Sequence, residues 1–207
     1  MSHKPRARAE IVRAEPPGQA ATAQDPSAAP RIGVDALYRA HGRFVATFLQ
    51  RLGTPPHEID DLVQEVFVIA HRKGGYVQGP AQPRSWLGAI ATHVARAGRK
   101  SRRRHEAPDT PAAEELRVGA DVPALIDQRR SLERIQRALE QLPLEQRAAF
   151  VLFEIDGESC ESIAAVWEVP VGTVYSRLHH ARRKFMQTYA ELTAAASRPL
   201  TAAKGGR

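Results

Sequence analysis

At 207 residues the chain has room for one large domain or two small ones, and its 30 Lys and Arg against 23 Asp and Glu leave a formal charge of +7. The positive residues are clustered rather than spread, which favours a polyanionic partner over a merely basic surface. Cys160 is the only cysteine, which excludes an internal disulfide and argues against a cysteine-based zinc site; that usage fits a reducing compartment. No apolar run nears the roughly 18 residues that a bilayer span needs. The basic N-terminal residues have no apolar core behind them, so no secretory leader is read and the expected location is the cytoplasm.

Residues 1–32, rich in Pro, Ala and Arg and without apolar period, are read as a disordered tail, and so are residues 194–207. Order is expected from Gly33. Val34, Leu37, Tyr38, His41, Val45, Phe48, Leu49 and Leu52 keep a three-four spacing that predicts a helix of about five turns. Thr54-Pro55-Pro56 breaks it and restarts the chain. A second helix is expected from about His57 to Lys73, with Ile59, Leu62, Val63, Val66, Phe67 and Ala70 inward, until Gly74-Gly75 stops it. A Gly/Pro/Gln-rich loop leads to a third helix, about Arg84 to Arg99, which buries Trp86, Leu87, Ile90 and Val94 and ends in a run of Arg and Lys.

The sign of the charge then flips. Glu106 to Asp127 carries six carboxylates against Arg117 alone and is punctuated by Pro108, Pro111 and Pro123, which predicts a linker over residues 106–127. Beyond it, Ser131 to Gln141 is expected to be helical with Leu132, Ile135, Leu139 and Leu142 on one side, and Pro143 opens a further helix through Arg147, Phe150, Val151 and Ile155. Asp156-Gly157 turns the chain, with Ser159 the N-cap of a short helix. From Pro170 the chain reads as a basic helix with Val174, Leu178, Ala181 and Phe185 as its buried stripe. No segment has strand period. The expected fold is all-α: two small helical domains, 33–105 and 128–193, on a flexible acidic linker.

Four patches bear on chemistry. Asp61 and Glu65 are one turn apart, with Asp60 and Gln64 beside them, and Leu52 to His71 holds no Lys or Arg to neutralise them. On pattern alone this is a solvated face, a docking face for a basic partner, or a carboxylate metal site completed by other segments. The basic end of the third helix (Arg96, Arg99, Lys100, Arg102, Arg103 and Arg104) is either a solubilising cluster or, with aromatic residues nearby, a surface for single-stranded DNA. Of those aromatics Trp86 belongs to the apolar stripe, while Tyr76 is expected to be exposed. A short helix, a turn and a basic helix together make a helix-turn-helix, whose second helix enters the major groove. Thr173, Ser176, Arg177 and His180 share its outer face. Arg177 is suited to guanine, while Arg182, Arg183 and Lys184 are expected to meet phosphate. His179 and His180 are adjacent and point about 100° apart, so they cannot share a metal. No metal, phosphate-loop or nucleophile motif is present, no cofactor is implied, and enzymatic function has no positive support.

Several motifs in order carry a resemblance. Asp61-Leu-Val-Gln-Glu-Val-Phe, the Trp86-Leu-Gly-Ala-Ile-Ala run and its Arg-rich tail resemble the second domain of bacterial sigma factors; Leu139-Glu-Gln-Leu-Pro-Leu-Glu-Gln-Arg with Gly172-Thr-Val-Tyr-Ser-Arg-Leu resembles their fourth. Two such modules and a linker, over about residues 33–192, resemble the extracytoplasmic-function group of the sigma-70 family. The resemblance implies that Asp61, Gln64 and Glu65 dock on the β′ clamp helices of core RNA polymerase. It implies that Tyr76, His93, Arg96, Arg99, Lys100 and Arg103 serve the promoter −10 element. Thr173, Tyr175, Ser176, Arg177, His180 and Arg182 would serve the −35 element, and the fourth domain would meet the polymerase β flap. The acidic linker would thread into the polymerase channels, and an anti-sigma factor often covers both modules in this family. The chain departs from the family pattern at His71 (often Trp), His93 (commonly Asn), Glu168 (usually Gly) and Pro170 (usually Ser). From the residues alone, a stand-alone helix-turn-helix regulator and a metal-dependent nuclease built on Asp60, Asp61 and Glu65 stay open beside the sigma factor.

Overall fold

A computed structural model describes residues 30–105 and 123–196. Most of the expected N-terminal tail, most of the expected linker and the last 11 residues lie outside the described residues. The first module is three helices, α1 (Val34–Arg51), α2 (Ile59–Arg72) and α3 (Pro83–His105), with a 3₁₀ turn at Pro56–Glu58 that leads into α2. Each helix offers one apolar stripe to a common core. Leu37, Val45, Phe48 and Leu49 come from α1, Val63, Val66, Phe67 and Ala70 from α2, and Leu87, Ile90, Ala91 and Val94 from α3. Tyr38, read as part of the α1 stripe, sits at its edge; its ring meets Phe67 edge-on at 5.0 Å and stays largely exposed.

Two short strands, β1 (Arg31–Ile32) and β2 (Tyr76–Val77), pair antiparallel with Ile32 opposite Tyr76, although neither segment has strand period. Two residues are too few for periodicity to register. The pairing corrects the expectation for Tyr76. Alternation along β2 turns Val77 out and Tyr76 in, leaving Tyr76 only 5% exposed. Its ring lies 5.9 Å from that of Trp86, and its hydroxyl donates to the Ala81 carbonyl.

The second module holds α4 (Pro123–Glu140), α5 (Leu144–Phe150), α6 (Cys160–Trp167) and α7 (Val171–Ala196). α4 starts inside the stretch read as linker, and α7 runs into the stretch read as C-terminal tail. Leu132, expected on the inner side of α4, is instead 66% exposed. It lies one turn nearer the helix start than half-buried Ile135 and reaches past the packed part of the helix. α5 passes into a π-helical turn at Val151–Ile155, closed by Asp156 N–H donating to the Val151 carbonyl at 3.0 Å. That extra residue per turn rolls Ile155 outward, where it is exposed.

The helix-turn-helix is built as its sequence indicates. Ser159 caps α6, its hydroxyl accepting from Ser162 N–H at 3.1 Å. α6 ends with Val169 N–H donating to the Ala164 carbonyl at 3.2 Å, which puts Glu168 in the left-handed region at φ 52°. A residue with a Cβ costs about 1 kcal/mol there. Glu168→Gly is therefore expected to stabilise the protein by up to about 1 kcal/mol in urea denaturation, and an unchanged midpoint would place the strain elsewhere.

The two modules also pack on each other, α3 against α5 and α6. Arg147 of α5 is wholly buried in this seam and donates to the Leu52 carbonyl of the first module at 2.7 Å. Nothing in the sequence indicated that contact.

Candidate functional site

The acidic face of α2 is open. Asp60, Asp61, Gln64 and Glu65 are all exposed, and among the described residues none of the carboxylates is in an ion pair. Val68, which the periodic reading passed over, lies one turn further on the same face and is 46% exposed. Asp61, Gln64, Glu65 and Val68 follow the i, i+3, i+4, i+7 rule, so a small apolar spot sits beside the carboxylates. The signal was legible in the sequence, as an apolar residue out of phase with the core stripe. No group of His, Cys, Asp or Glu that could hold a metal occurs among the described residues.

The basic end of α3 divides into two sets. Lys100, Arg103 and Arg104 are exposed. Arg102 is paired with Glu58, and Arg96 with Glu145 of α5. Arg99 is half-buried; burial first, then the charges of Arg102 and Arg103, lower its guanidinium from the ordinary value. The tail read as one cationic cluster thus offers solvent only part of its charge, because two of its arginines face acids contributed by other elements.

His93 and Arg96 of α3 line a cavity of about 260 Å³ with Glu145, Trp167 and Arg177 from the second module. A neighbouring cleft of about 370 Å³, between α2, α3 and α6, is lined by Ile69, Trp86, Ile90, His93 and Val166. Partial burial pushes the Glu145 carboxyl up, but its own backbone N–H, then Arg96 and Arg177, more than offset this and hold it below the ordinary value. Residues assigned by resemblance to two different promoter elements therefore meet in one place.

On α7, Val174, Leu178 and Ala181 are buried, as their spacing requires, and the opposite face carries the expected readers. Ser176 and His180 are exposed, and the Ser176 hydroxyl donates to the Thr173 carbonyl at 2.9 Å. Tyr175 is exposed, with its hydroxyl 3.5 Å from the Glu161 carboxylate. The Arg177 guanidinium stacks over the Trp167 ring at 5.2 Å, a cation–π contact that fixes the direction of its fork. Arg182 is tied back to its own module by an ion pair with Glu154 and by the Phe153 ring 5.4 Å away. Thr173, Ser176, Arg177 and His180 share one face of α7 by helical spacing, whereas Tyr175, beside Glu161, and Arg182, paired with Glu154, lie on the other flank of the helix. Cys160 is buried, and burial, then Glu161, raises its thiol above the ordinary value, in keeping with a packing residue. No described helix is long and apolar enough to cross a membrane.

Comparison with known proteins agrees with this geometry. The family models for Sigma-70 region 2 and Sigma-70, region 4 match residues 37–105 and 132–185. The ECF RNA polymerase sigma factor SigM of Mycobacterium tuberculosis is 33% identical over 154 residues, covering 74% of this chain and 76% of that protein. The ECF RNA polymerase sigma-E factor of Escherichia coli K12 is 33% identical over 147 residues, covering 67% and 76%. Among solved structures, the sigma factor RpoE in complex with the anti-sigma factor NepR from Bartonella quintana shares the fold at TM-score 0.56 and 21% identity, over 78% of this chain and 96% of that one. CnrH in complex with the cytosolic domain of CnrY matches at TM-score 0.54 and 26% identity, over 79% and 89%. Two family models in order, and relatives of this extent, favour the polymerase subunit over the lone regulator and the nuclease: the chain belongs to the sigma-70 family, in its extracytoplasmic-function group, and is a non-enzymatic factor that binds core RNA polymerase and promoter DNA to direct promoter-specific initiation.

Proposed function

We propose that this sigma factor divides its work by module, residues 33–105 docking on core polymerase and opening the −10 element, and residues 128–193 reading the −35 element. Asp61, Gln64 and Glu65, with Val68 at their edge, form the docking face for the β′ clamp helices. The observation that carries this reading is an exposed row of carboxylates without a cation of its own. Two exposed acids gain little within this chain, yet desolvated against a basic partner they contribute several times more. Lys100 and Arg103, with His93, Arg96 and Arg99, hold the displaced −10 strand; capture of phosphates and unstacked bases offsets a few kcal/mol of unpairing. Tyr76 acts there only through Trp86, as support for the loop. The second module meets the β flap, and the site of action is the cytoplasm. A protein partner that covers both modules is part of the same proposal; the two similar structures are each of a complex, with the anti-sigma factor NepR and with the cytosolic domain of CnrY.

On the −35 element, Thr173, Ser176, Arg177 and His180 face the groove, with Tyr175 and Arg182 on the flank of the helix. Arg177→Ala is expected to cost about 1–3 kcal/mol at promoters with the preferred −35 sequence and little at others. An equal loss on all DNA would make Arg177 a phosphate contact. The function itself is tested by run-off transcription with purified core polymerase on a randomised promoter library. Specific start sites should appear only when the protein and core are combined. Tight specific DNA binding by the free protein, with no effect on core, would instead support a stand-alone regulator.

A further inference from the structure

The far end of α3 sets one hydroxyl among cations. Ser101 lies in Arg99-Lys100-Ser101-Arg102-Arg103-Arg104 and is exposed. The other two hydroxyls of α3 are buried and bonded, Ser85 to the Glu158 carboxylate and Thr92 to the Gly88 carbonyl at 2.7 Å. Helical spacing puts Ser101 on the same side as His93, Ala97, Lys100 and Arg104, all of them exposed. Glu58 occupies Arg102 and Glu145 occupies Arg96, whereas Lys100, Arg103 and Arg104 face no carboxylate among the described residues. These like charges press on one another: after burial, it is Arg102 and Arg103 that lower the Arg99 guanidinium. A dianion at position 101 opposes the helix dipole there, but it meets three cations within one turn, which outweigh that effect.

Two other serines have basic neighbours, and both are engaged. Ser131 follows Arg129 and Arg130, but its hydroxyl donates to the Asp127 carbonyl and accepts from Arg134, each at 2.9 Å. Ser176 precedes Arg177 and donates to the Thr173 carbonyl at 2.9 Å. Ser101 has no such tie among the described residues. Presenting it in extended form also disturbs little. Lys100 to Arg104 hold no apolar side chain, so unwinding the last turn of α3 breaks only helix hydrogen bonds and the Arg102–Glu58 pair.

We propose that Ser101 is a phosphorylation site for a serine kinase with an acidic peptide groove, and that the phosphate switches off −10 strand capture while core docking persists. Its consequence for promoter opening rests on the assignment of Lys100 and Arg103 to the −10 element above. In the transfer, Ser101 Oγ attacks the γ-phosphorus of Mg-ATP. The new O–P bond replaces the bond to the β-phosphate oxygen, ADP leaves, and the hydroxyl proton passes to a carboxylate of the kinase. The product carries about −1.5 to −2 charges, which neutralise about two of the three open cations and repel the strand's own phosphates. The docking face of α2 is already acidic, so added negative charge on α3 does not oppose a basic partner there.

The test uses the full-length protein, Mg-ATP and a basic-directed serine kinase, the protein kinase C catalytic fragment. Mass spectrometry should place phosphate on Ser101 of the parent. Holoenzyme assembled from this product and core polymerase should form open complexes at least tenfold less readily, read by 2-aminopurine fluorescence in the −10 strand. The slope of log affinity against log salt should become shallower by about 1.4, the value for two lost single-strand phosphate contacts at about 0.7 each. Core affinity should stay within twofold, and Ser101→Ala protein given the same treatment should open promoters fully. Phosphate confined to other residues, a modified holoenzyme that opens as before, an equal loss in treated Ser101→Ala, or a parallel loss of core affinity would each overturn the proposal. Failure of the −10 assignment has a different signature: Lys100→Ala/Arg103→Ala holoenzyme would open promoters normally, although phosphate still maps to Ser101.

Discussion

Arg147→Ala is expected to destabilise the protein by about 3–5 kcal/mol, among the largest single effects available in this chain. The side chain is 0% exposed, and its guanidinium donates to the carbonyls of Leu52 at 2.7 Å, Glu140 at 2.5 Å and Leu142 at 3.2 Å. Leu52 follows the last turn of α1 and Glu140 ends α4, so two helix C-termini, each with unpaired carbonyls and a partial negative charge, converge on one cation. Burial, then Arg99, lowers Arg147 to about 10, which still leaves it charged at neutral pH. Placing that charge in the interior has a cost, but three charge-assisted hydrogen bonds at roughly 1.5–3 kcal/mol each outweigh it. Truncation removes all three at once and orphans the carbonyls. Lysine would not rescue the site, because a point charge cannot reproduce the planar fork. Gly53, in the left-handed region at φ 85°, leaves the space this fork occupies: a Cβ there would fall 2.7 Å from Arg147 Nη1. Urea denaturation with circular dichroism measures the effect, and a loss below about 1 kcal/mol would show that water replaces the guanidinium without penalty.

Reversing Asp61 and Glu65 to lysine is expected to weaken binding to core polymerase by a hundredfold or more, about 3 kcal/mol, with the fold intact. Two effects compete in this variant. Asp61 lies in the first turn of α2, where a carboxylate complements the helix dipole, so the Asp61→Lys part costs up to about 1 kcal/mol of stability. Glu65 lies beyond that turn and is exposed, so its reversal stays within about 0.5 kcal/mol. The loss at the interface exceeds their sum because the charges introduced there would be repelled, not merely absent. Titration of fluorescent protein with core polymerase separates the two effects, alongside a thermal melt of the free variant. Unchanged affinity would remove α2 from the docking surface.

The helices were legible because each carries an apolar stripe with sharp ends. Ser159 announces α6, and Gly74-Gly75 closes α2, its N–H groups donating to the His71 and Ala70 carbonyls at 2.8 and 3.0 Å. The buried stripe of α7 also follows from spacing alone. What escaped the sequence depends on contacts distant in the chain. Tyr76 reads as a loop aromatic until Ile32 of β1, 44 positions upstream, pairs with it and turns it inward. Arg96 and Arg182 read as free cations until Glu145 and Glu154 are placed beside them. Ser85, Glu158 and Ser162 have no local signature, since two are serines in the first turns of α3 and α6, the third precedes a cap, and each finds a partner in the other module. Periodicity reports which face is inward, and it is silent on which inward or half-inward polar groups will find one another.

The pairing of β1 with β2 also fixes where the leading segment leaves the molecule. Ile32 sits opposite Tyr76, and the Pro30 carbonyl accepts from Gln78 N–H at 3.3 Å, so the chain enters beside the corner between α2 and α3. Trimming the protein to begin at Gly33 would strip that corner of its only strand neighbour among the described residues. The Tyr76 ring would lose the clip that presses it onto Trp86, at the foot of the helix whose far end carries the arginines. A shortened version made for convenience would thus carry a loosened corner at the start of α3.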